Sequence, residues 1–321
     1  MTATQQKRKL ALAARAGDLE SATALLSANP GLVQAWEPMM HACFEGQYSI
    51  VKLLLDKGAD PNMLSGSDWA HRPLHRVVEH KIATPRHEGH YKTVRHLMAA
   101  GADPLRRATR PPMTAIALAA IAGEVRFLSL MIAGQTKLDI FDSAAIGDAP
   151  RLRQLLENDP SLAAAVDEAG CNALWYCAAS RLTPSGVMDC AGLLLDAGSS
   201  INRPGKGAAP LYFAAAHTRN YDIAQLLLDR GADPHAGVSL VHASCAFHFE
   251  FLTDGLRWLI AHGANPNHAD DRGQTALHKT AFLGYVKAAR CLVELGADPD
   301  RKDADGLRPP DVARLNRKRW M

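Results

Sequence analysis

The chain has 321 residues, of which 47% are hydrophobic, and a formal net charge of +3. That apolar content is enough for a continuous core and excludes disorder as the general state, while no stretch is long and apolar enough to span a bilayer. The charge is uneven: residues 71–110 carry nine Lys or Arg against three Asp or Glu, a local +6 that leaves −3 for the remainder.

The segment from Met1 to Lys9 is polar and basic, with no charge-free apolar run behind it. It predicts no signal peptide and a cytoplasmic protein. Six cysteines, Cys43, Cys171, Cys177, Cys190, Cys245 and Cys291, fall at no paired spacing. Neither a disulfide framework nor a zinc module is expected, and they read as small core residues in a reducing compartment.

In chain order, residues 5–35 predict a helix pair closed by Asn29-Pro30-Gly31-Leu32. Residues 36–64 open on Pro38-Met39-Met40-His41-Ala42-Cys43 and end on Gly58-Ala59-Asp60-Pro61. Residues 65–107 open on Arg72-Pro73-Leu74-His75 and close on Gly101-Ala102-Asp103-Pro104. About eight extra residues around 82–90 lengthen the turn between the two helices of this segment. Residues 108–139 complete a first block, 1–139. Residues 140–168 then repeat the pattern of 5–35, with Asp159-Pro160-Ser161-Leu162 in place of Gly-Ala-Asp. This cap-like unit predicts a second block, 140–321, fused to the first or continuous with it.

The second block continues as 169–205, 206–237, 238–270 and 271–303, with a half-unit at 304–321. Its opening phrases include Asn172-Ala173-Leu174-Trp175, Ala209-Pro210-Leu211-Tyr212 and Thr275-Ala276-Leu277-His278. Its closing glycines, Gly198, Gly231, Gly263 and Gly296, are 33, 32 and 33 residues apart, a period that points to stacked repeats. Thr275 suits a helix N-cap, Gly296 a left-handed helix end, and Pro299 stops the helix. Another insertion of about five residues surrounds Leu182-Thr183-Pro184-Ser185, and insertions in repeat arrays emerge as loops. The terminal stretch from Ala313 to Met321 is amphipathic and reads as a cap for the last repeat.

Together the phrases resemble the ankyrin repeat, whose signature is Thr-Pro-Leu-His-x-Ala followed by two antiparallel helices. The resemblance implies an all-α solenoid of stacked helix–turn–helix units with short β-turn or hairpin fingers. It also implies that first helices line a concave face and that His75 and His278 stabilise turns. The position after that histidine holds His41, Arg76, Leu118, Tyr176, Phe213, His242 and Lys279 in successive units. Aromatic and cationic side chains in one groove suit a protein partner with an acidic or mixed apolar and anionic surface. Tyr212 belongs to the same aromatic set. The finger residues Asp68, Trp69 and Arg72, and the basic tip Arg106-Arg107-Ala108-Thr109-Arg110, supply a second candidate surface.

The expected function is a non-enzymatic protein-binding scaffold without a cofactor or membrane span. The alternative is a small-molecule or metal site, even an enzyme, around the third repeat, where His71, His75, His80, His87, His90 and His96 concentrate. The sequence His87-Glu88-Gly89-His90 lacks the spacing that puts two imidazoles on one helical face. No nucleophile elbow or phosphate-binding loop is present. The basic residues are too local for an expected nucleic-acid footprint.

Overall fold

The protein is seen in a computed structural model that describes residues 2–66, 70–79, 87–109, 112–135, 137–182, 185–205, 209–236 and 252–319. The chain divides into two compact units, Met1–Asp142 and Ser143–Met321. Both are built from helix pairs. Among the described residues, extended pairing is limited to two antiparallel bridges in fingers, Val166 with Asn172 and Ala269 with Thr275.

In the first unit the pairs are Ala3–Ala16 with Leu19–Ala28, Trp36–Glu45 with Tyr48–Asp56, Pro73–Val78 with Glu88–Ala99, and Ala115–Ala122 with Val125–Ile132. First helices pack on first helices and second helices on second helices, giving two layers. Between them lie Leu10, Met39, Ile50, Leu54, Leu97, Ile116, Phe127 and Met131, all fully buried. Removing each such side chain from water contributes about 1.5–3 kcal/mol, which is the main cohesion of a repeat stack.

The second unit uses the same plan, with Ala173–Ala179 beside Ser185–Asp196 and Ala276–Leu283 beside Val286–Glu294. The helix Pro309–Arg319 packs on Ala276–Leu283. The sequence parallel between 5–35 and 140–168 has a structural counterpart. Asp18 and Asp148 each accept a backbone N–H three residues on, from Ser21 and Arg151, both at 3.0 Å. Each is preceded by a left-handed glycine, Gly17 or Gly147. Each helix pair ends in a 3₁₀ turn, Pro30–Gln34 or Pro160–Ala164.

The closing phrase is a hydrogen-bonding device. Gly58, Gly101, Gly231 and Gly296 have φ between 84° and 93°, which lets the next N–H turn back on the helix. Ala59, Ala102, Ala232 and Ala297 then donate to the carbonyls of Leu54, Leu97, Leu227 and Leu292 at 2.9–3.0 Å. The aspartate carboxylate accepts the N–H two residues later, as Asp60 does from Asn62 at 2.8 Å. Where asparagine follows, its amide spans to the next repeat. Asn62 donates to Gly101 at 2.9 Å and accepts from Asp103 at 2.7 Å, and Asn267 does the same with Gly296 and Asp298. The phrase therefore joins repeats as well as ending helices.

Both inserted turns lead into a glycine. Gly89 and Gly186 lie so close to the preceding repeat that a Cβ would stand 2.3 Å from the Gly46 carbonyl oxygen and 2.2 Å from that of Gly147. Beside Gly89, His87 and His90 seal the end of Trp36–Glu45. Their Nε2 atoms donate to the carbonyls of Glu45, at 3.0 Å, and Phe44, at 3.2 Å. Their Nδ1 atoms accept from the N–H groups of Gly89, at 3.1 Å, and His87, at 3.3 Å. Helix-end carbonyls that would lack partners are thereby satisfied.

Candidate functional site

In the first unit, His41 and Arg76 converge with the finger residue His71 on a cleft of about 300 Å³, also lined by Trp36, Met40, Ser65 and Glu79. Its outer wall is a finger closed by reciprocal bonds. Ser65 N–H donates to the His71 carbonyl and His71 N–H donates to the Ser65 hydroxyl, both at 2.9 Å. Gly66 makes room for Trp36, because a Cβ there would lie 2.7 Å from the indole Nε1. Asp68 and Trp69, expected on the same finger, lie outside the described residues.

The cleft has balanced charge. Arg76 pairs with Glu79, and its guanidinium carbon lies 4.0 Å from the centre of the Phe44 ring. Arg15 reaches Glu45 at 3.5 Å. Burial, followed by the positive charges of Arg15 and Arg76, pushes the His41 imidazole below its ordinary pKa, favouring the neutral ring. The site thus presents a half-buried indole, a neutral imidazole and a guanidinium paired with Glu79.

Several expected contact residues are instead committed to the fold. Arg72 donates to the carbonyls of Asn62 at 2.7 Å and Arg107 at 2.9 Å, tying three parts of the finger region together. His75 is 1% exposed and bonds through Nε2 to the Met113 carbonyl at 2.9 Å. Tyr176 is 0% exposed, and its hydroxyl donates to Asp167 at 2.6 Å. Tyr212 is 2% exposed and packs edge-on to Phe213, with ring centres 5.4 Å apart. His75, Tyr176 and Tyr212 are buried and line no open surface, while half-buried Arg72 is held by two backbone carbonyls. Lys279 is half-buried and pairs with Asp270 at 3.8 Å, in the position Tyr176 takes toward Asp167. Residue 176 or 279 thus anchors its own finger. Phe213 remains half-buried, and His242 lies outside the described residues.

The basic tip is also engaged. Arg106 reaches Asp103 at 3.7 Å, and Arg107 donates to Asp139 at 2.5 Å and to the Pro112 carbonyl at 2.9 Å. Asp139 in turn accepts the N–H groups of Phe141 and Asp142. Asp142 is buried and takes a hydrogen bond from the Thr114 hydroxyl. Burial first, then the nearby Asp139 charge, raises its pKa to about 7. Among the third-repeat histidines, His87 and His90 spend all four ring nitrogens on the backbone. Among the described residues no three His, Cys, Asp or Glu side chains are grouped to hold a metal.

The second unit contains one feature that the repeat phrases conceal. The first helix of repeat 206–237 continues from Pro210–Tyr212 into a π-helix, Phe213–Thr218, and ends on Arg219 with φ 56°. Comparable first helices place the left-handed cap nine positions after the N-cap, Gly123 after Thr114 and Gly284 after Thr275. Here Arg219 lies ten positions after Ala209, so one residue is inserted, and a widened turn absorbs it. Counting from Ala209 to Gly231 against Thr275 to Gly296 would have exposed it. Around it Trp175, Tyr176, Tyr212, Phe213 and His217 form a run of edge-on and tilted rings with centres 4.6–5.4 Å apart.

The family model described as Ankyrin repeats matches three times, over residues 10–108, 140–238 and 234–303. Among curated proteins, the chain is 31% identical to the mouse (Mus musculus) B-cell lymphoma 3 protein homolog over 216 residues, covering 61% of this chain and 46% of the relative. It is 28% identical to the probable E3 ubiquitin-protein ligase XBOS33 of Oryza sativa subsp. japonica over 239 residues, covering 71% and 39%. It is 35% identical to human (Homo sapiens) protein phosphatase 1 regulatory subunit 27 over 80 residues, covering 23% and 52%. The matches span less than half the length of the first two relatives. The repeat phrases, the paired helix layers and the triple match lead to one assignment: the chain belongs to the ankyrin-repeat family.

Proposed function

We propose that the protein is a non-enzymatic binding scaffold that receives a partner polypeptide in the first-unit cleft of Trp36, His41, His71 and Arg76. Ankyrin repeats generally serve as protein-interaction modules. The relatives are diverse, a probable E3 ubiquitin-protein ligase and a protein phosphatase 1 regulatory subunit among them, and this supports a shared binding role for the repeats. The observation that carries the reading is convergence: residues from two first helices and one finger meet at an opening of about 300 Å³. An apolar partner side chain fits against Trp36 and Met40, while a partner carboxylate exchanges with Glu79 for Arg76. In the same reading, unit 140–168 opens the second block as unit 5–35 opens the first.

The test is capture of partners by the full chain, followed by affinity measurement on Trp36→Ala and Arg76→Ala. Central anchors of this kind cost about 2 kcal/mol or more when truncated, a roughly thirtyfold loss. Unchanged affinity in both variants, with the fold intact, would remove the cleft from the binding surface.

A further inference from the structure

We propose that Arg181 and Arg219 form a carboxylate-binding site for an acidic side chain of a partner polypeptide. This site lies in the second unit and is independent of the first-unit cleft.

Arg181 follows the helix Ala173–Ala179 and is exposed. Its guanidinium approaches the His217 carbonyl at 3.5 Å, and among the described residues no carboxylate pairs with it. Partial desolvation of its head group, and then the positive charge of Arg219, lower its pKa. Arg181 thus has a cation near it and no carboxylate of its own among the described residues, so an incoming carboxylate would find a planar donor pair to bind.

The π-helix supplies the second arginine. Its extra residue carries the chain to Arg219, the one non-glycine among the described residues with positive φ. Equivalent turns place glycine there, at Gly46, Gly123 and Gly284. An arginine in the left-handed region costs about 1 kcal/mol over glycine, so the fold alone favours glycine. Thr218 fixes the turn, lying 3.1 Å from the Ala178 carbonyl of the preceding repeat. Arg219 already reaches the exposed Asp254 at 3.4 Å, which identifies a carboxylate as an acceptor it takes. On the same π-helix, half-buried Phe213 stacks edge-on against Trp175 at 4.6 Å and tilts at 5.3 Å against His217, the residue whose carbonyl Arg181 approaches.

The experiment titrates the full chain with a fluorescein-labelled peptide of alternating Glu and Phe, and with its Gln and Phe counterpart. The Glu peptide is expected to bind about tenfold more tightly, as one charge-assisted pair gives. Arg181→Gln should reduce that preference to within about twofold, and Arg219→Gly should reduce it without lowering the melting temperature, since glycine suits the turn. Equal affinities for the two peptides, or a preference intact in Arg181→Gln, overturns the site. A preference lost in Arg76→Gln and kept in Arg181→Gln also overturns it, by placing the anion in the first-unit cleft. Displacement by inorganic phosphate where acetate has no effect overturns the carboxylate assignment.

Discussion

Gly89 approaches the carbonyl of Gly46 so closely that any side chain at 89 would meet that oxygen at 2.3 Å. Gly186 stands in the same relation to Gly147, at 2.2 Å. A Cβ cannot be accommodated against backbone without moving one repeat on the next. Gly89→Ala and Gly186→Ala should therefore each destabilise the chain by about 2 kcal/mol or more, read as a lower urea midpoint. Gly192 is the control: it lies inside Ser185–Asp196, where a Cβ would meet nothing within 4 Å. Gly192→Ala should stabilise by about 0.5–1 kcal/mol. Equal effects at all three positions would contradict the close approach.

Arg72 stands where the family phrase has threonine, and its guanidinium reaches two carbonyls in different parts of the finger region, those of Asn62 and Arg107. A lysine ammonium is a compact point donor and cannot span both. Arg72→Lys should cost about 1 kcal/mol despite keeping the charge, with faster amide exchange at the neighbouring Asn62 and Arg107 finger residues. No change in exchange there would show that the guanidinium geometry is dispensable.

The substitution at 72 also changes His75. In the complete phrase, His278 Nδ1 contacts Thr275 through both its N–H, at 3.2 Å, and its hydroxyl, at 2.9 Å. Its Nε2 bonds to the Leu307 carbonyl at 3.0 Å. His75 keeps the carbonyl bond, but its buried Nδ1 has no hydrogen-bond partner. His278→Leu should therefore cost more than His75→Leu, each within about 1–3 kcal/mol. Burial lowers the His75 pKa to about 4 from an ordinary 6.5. Between those values the unfolded chain binds the extra proton, so this part of the stability is present above pH 6.5 and is lost as pH falls toward 4. Denaturation midpoints across that window should fall less steeply in His75→Leu than in the parent.

These cases show which parts of the molecule are legible in its residues. The glycine and Asp-Pro phrases carry backbone requirements, and those are local, so repeat boundaries and helix pairs follow directly. Gly89 and the pair His87 and His90 were visible only as an insertion, because their partners Gly46, Phe44 and Glu45 belong to another repeat. Tyr176 and Lys279 share a register position, and their use against Asp167 and Asp270 depends on finger geometry that side-chain type does not encode. The π-helix was legible by counting but is masked when repeats are aligned on phrases alone. The cleft residues His41 and Arg76 share a register position, whereas Trp36 joins them through the room left by Gly66 and His71 through the finger it closes on Ser65.

Asp142 provides a prediction of opposite pH sign to His75. The carboxylate is buried, faces the charge of Asp139, and is compensated in part by the Thr114 hydroxyl and by Arg107. Its pKa of about 7, against an ordinary 3.8, means that the folded chain holds a proton which the unfolded chain has released. Stability from this group is therefore full below about pH 3.8 and declines as pH rises through 7. Asp142→Asn keeps the shape and removes the titration. The substituted amide carries no charge at any pH, so the variant should be more stable than the parent by about 1–3 kcal/mol at about pH 8, with the difference shrinking toward pH 4. The measurement is urea denaturation of both proteins at a series of pH values. A difference that grows as pH falls would reverse the sign and show that the Asp142 carboxylate is stabilised by Arg107 and Thr114 in its charged form.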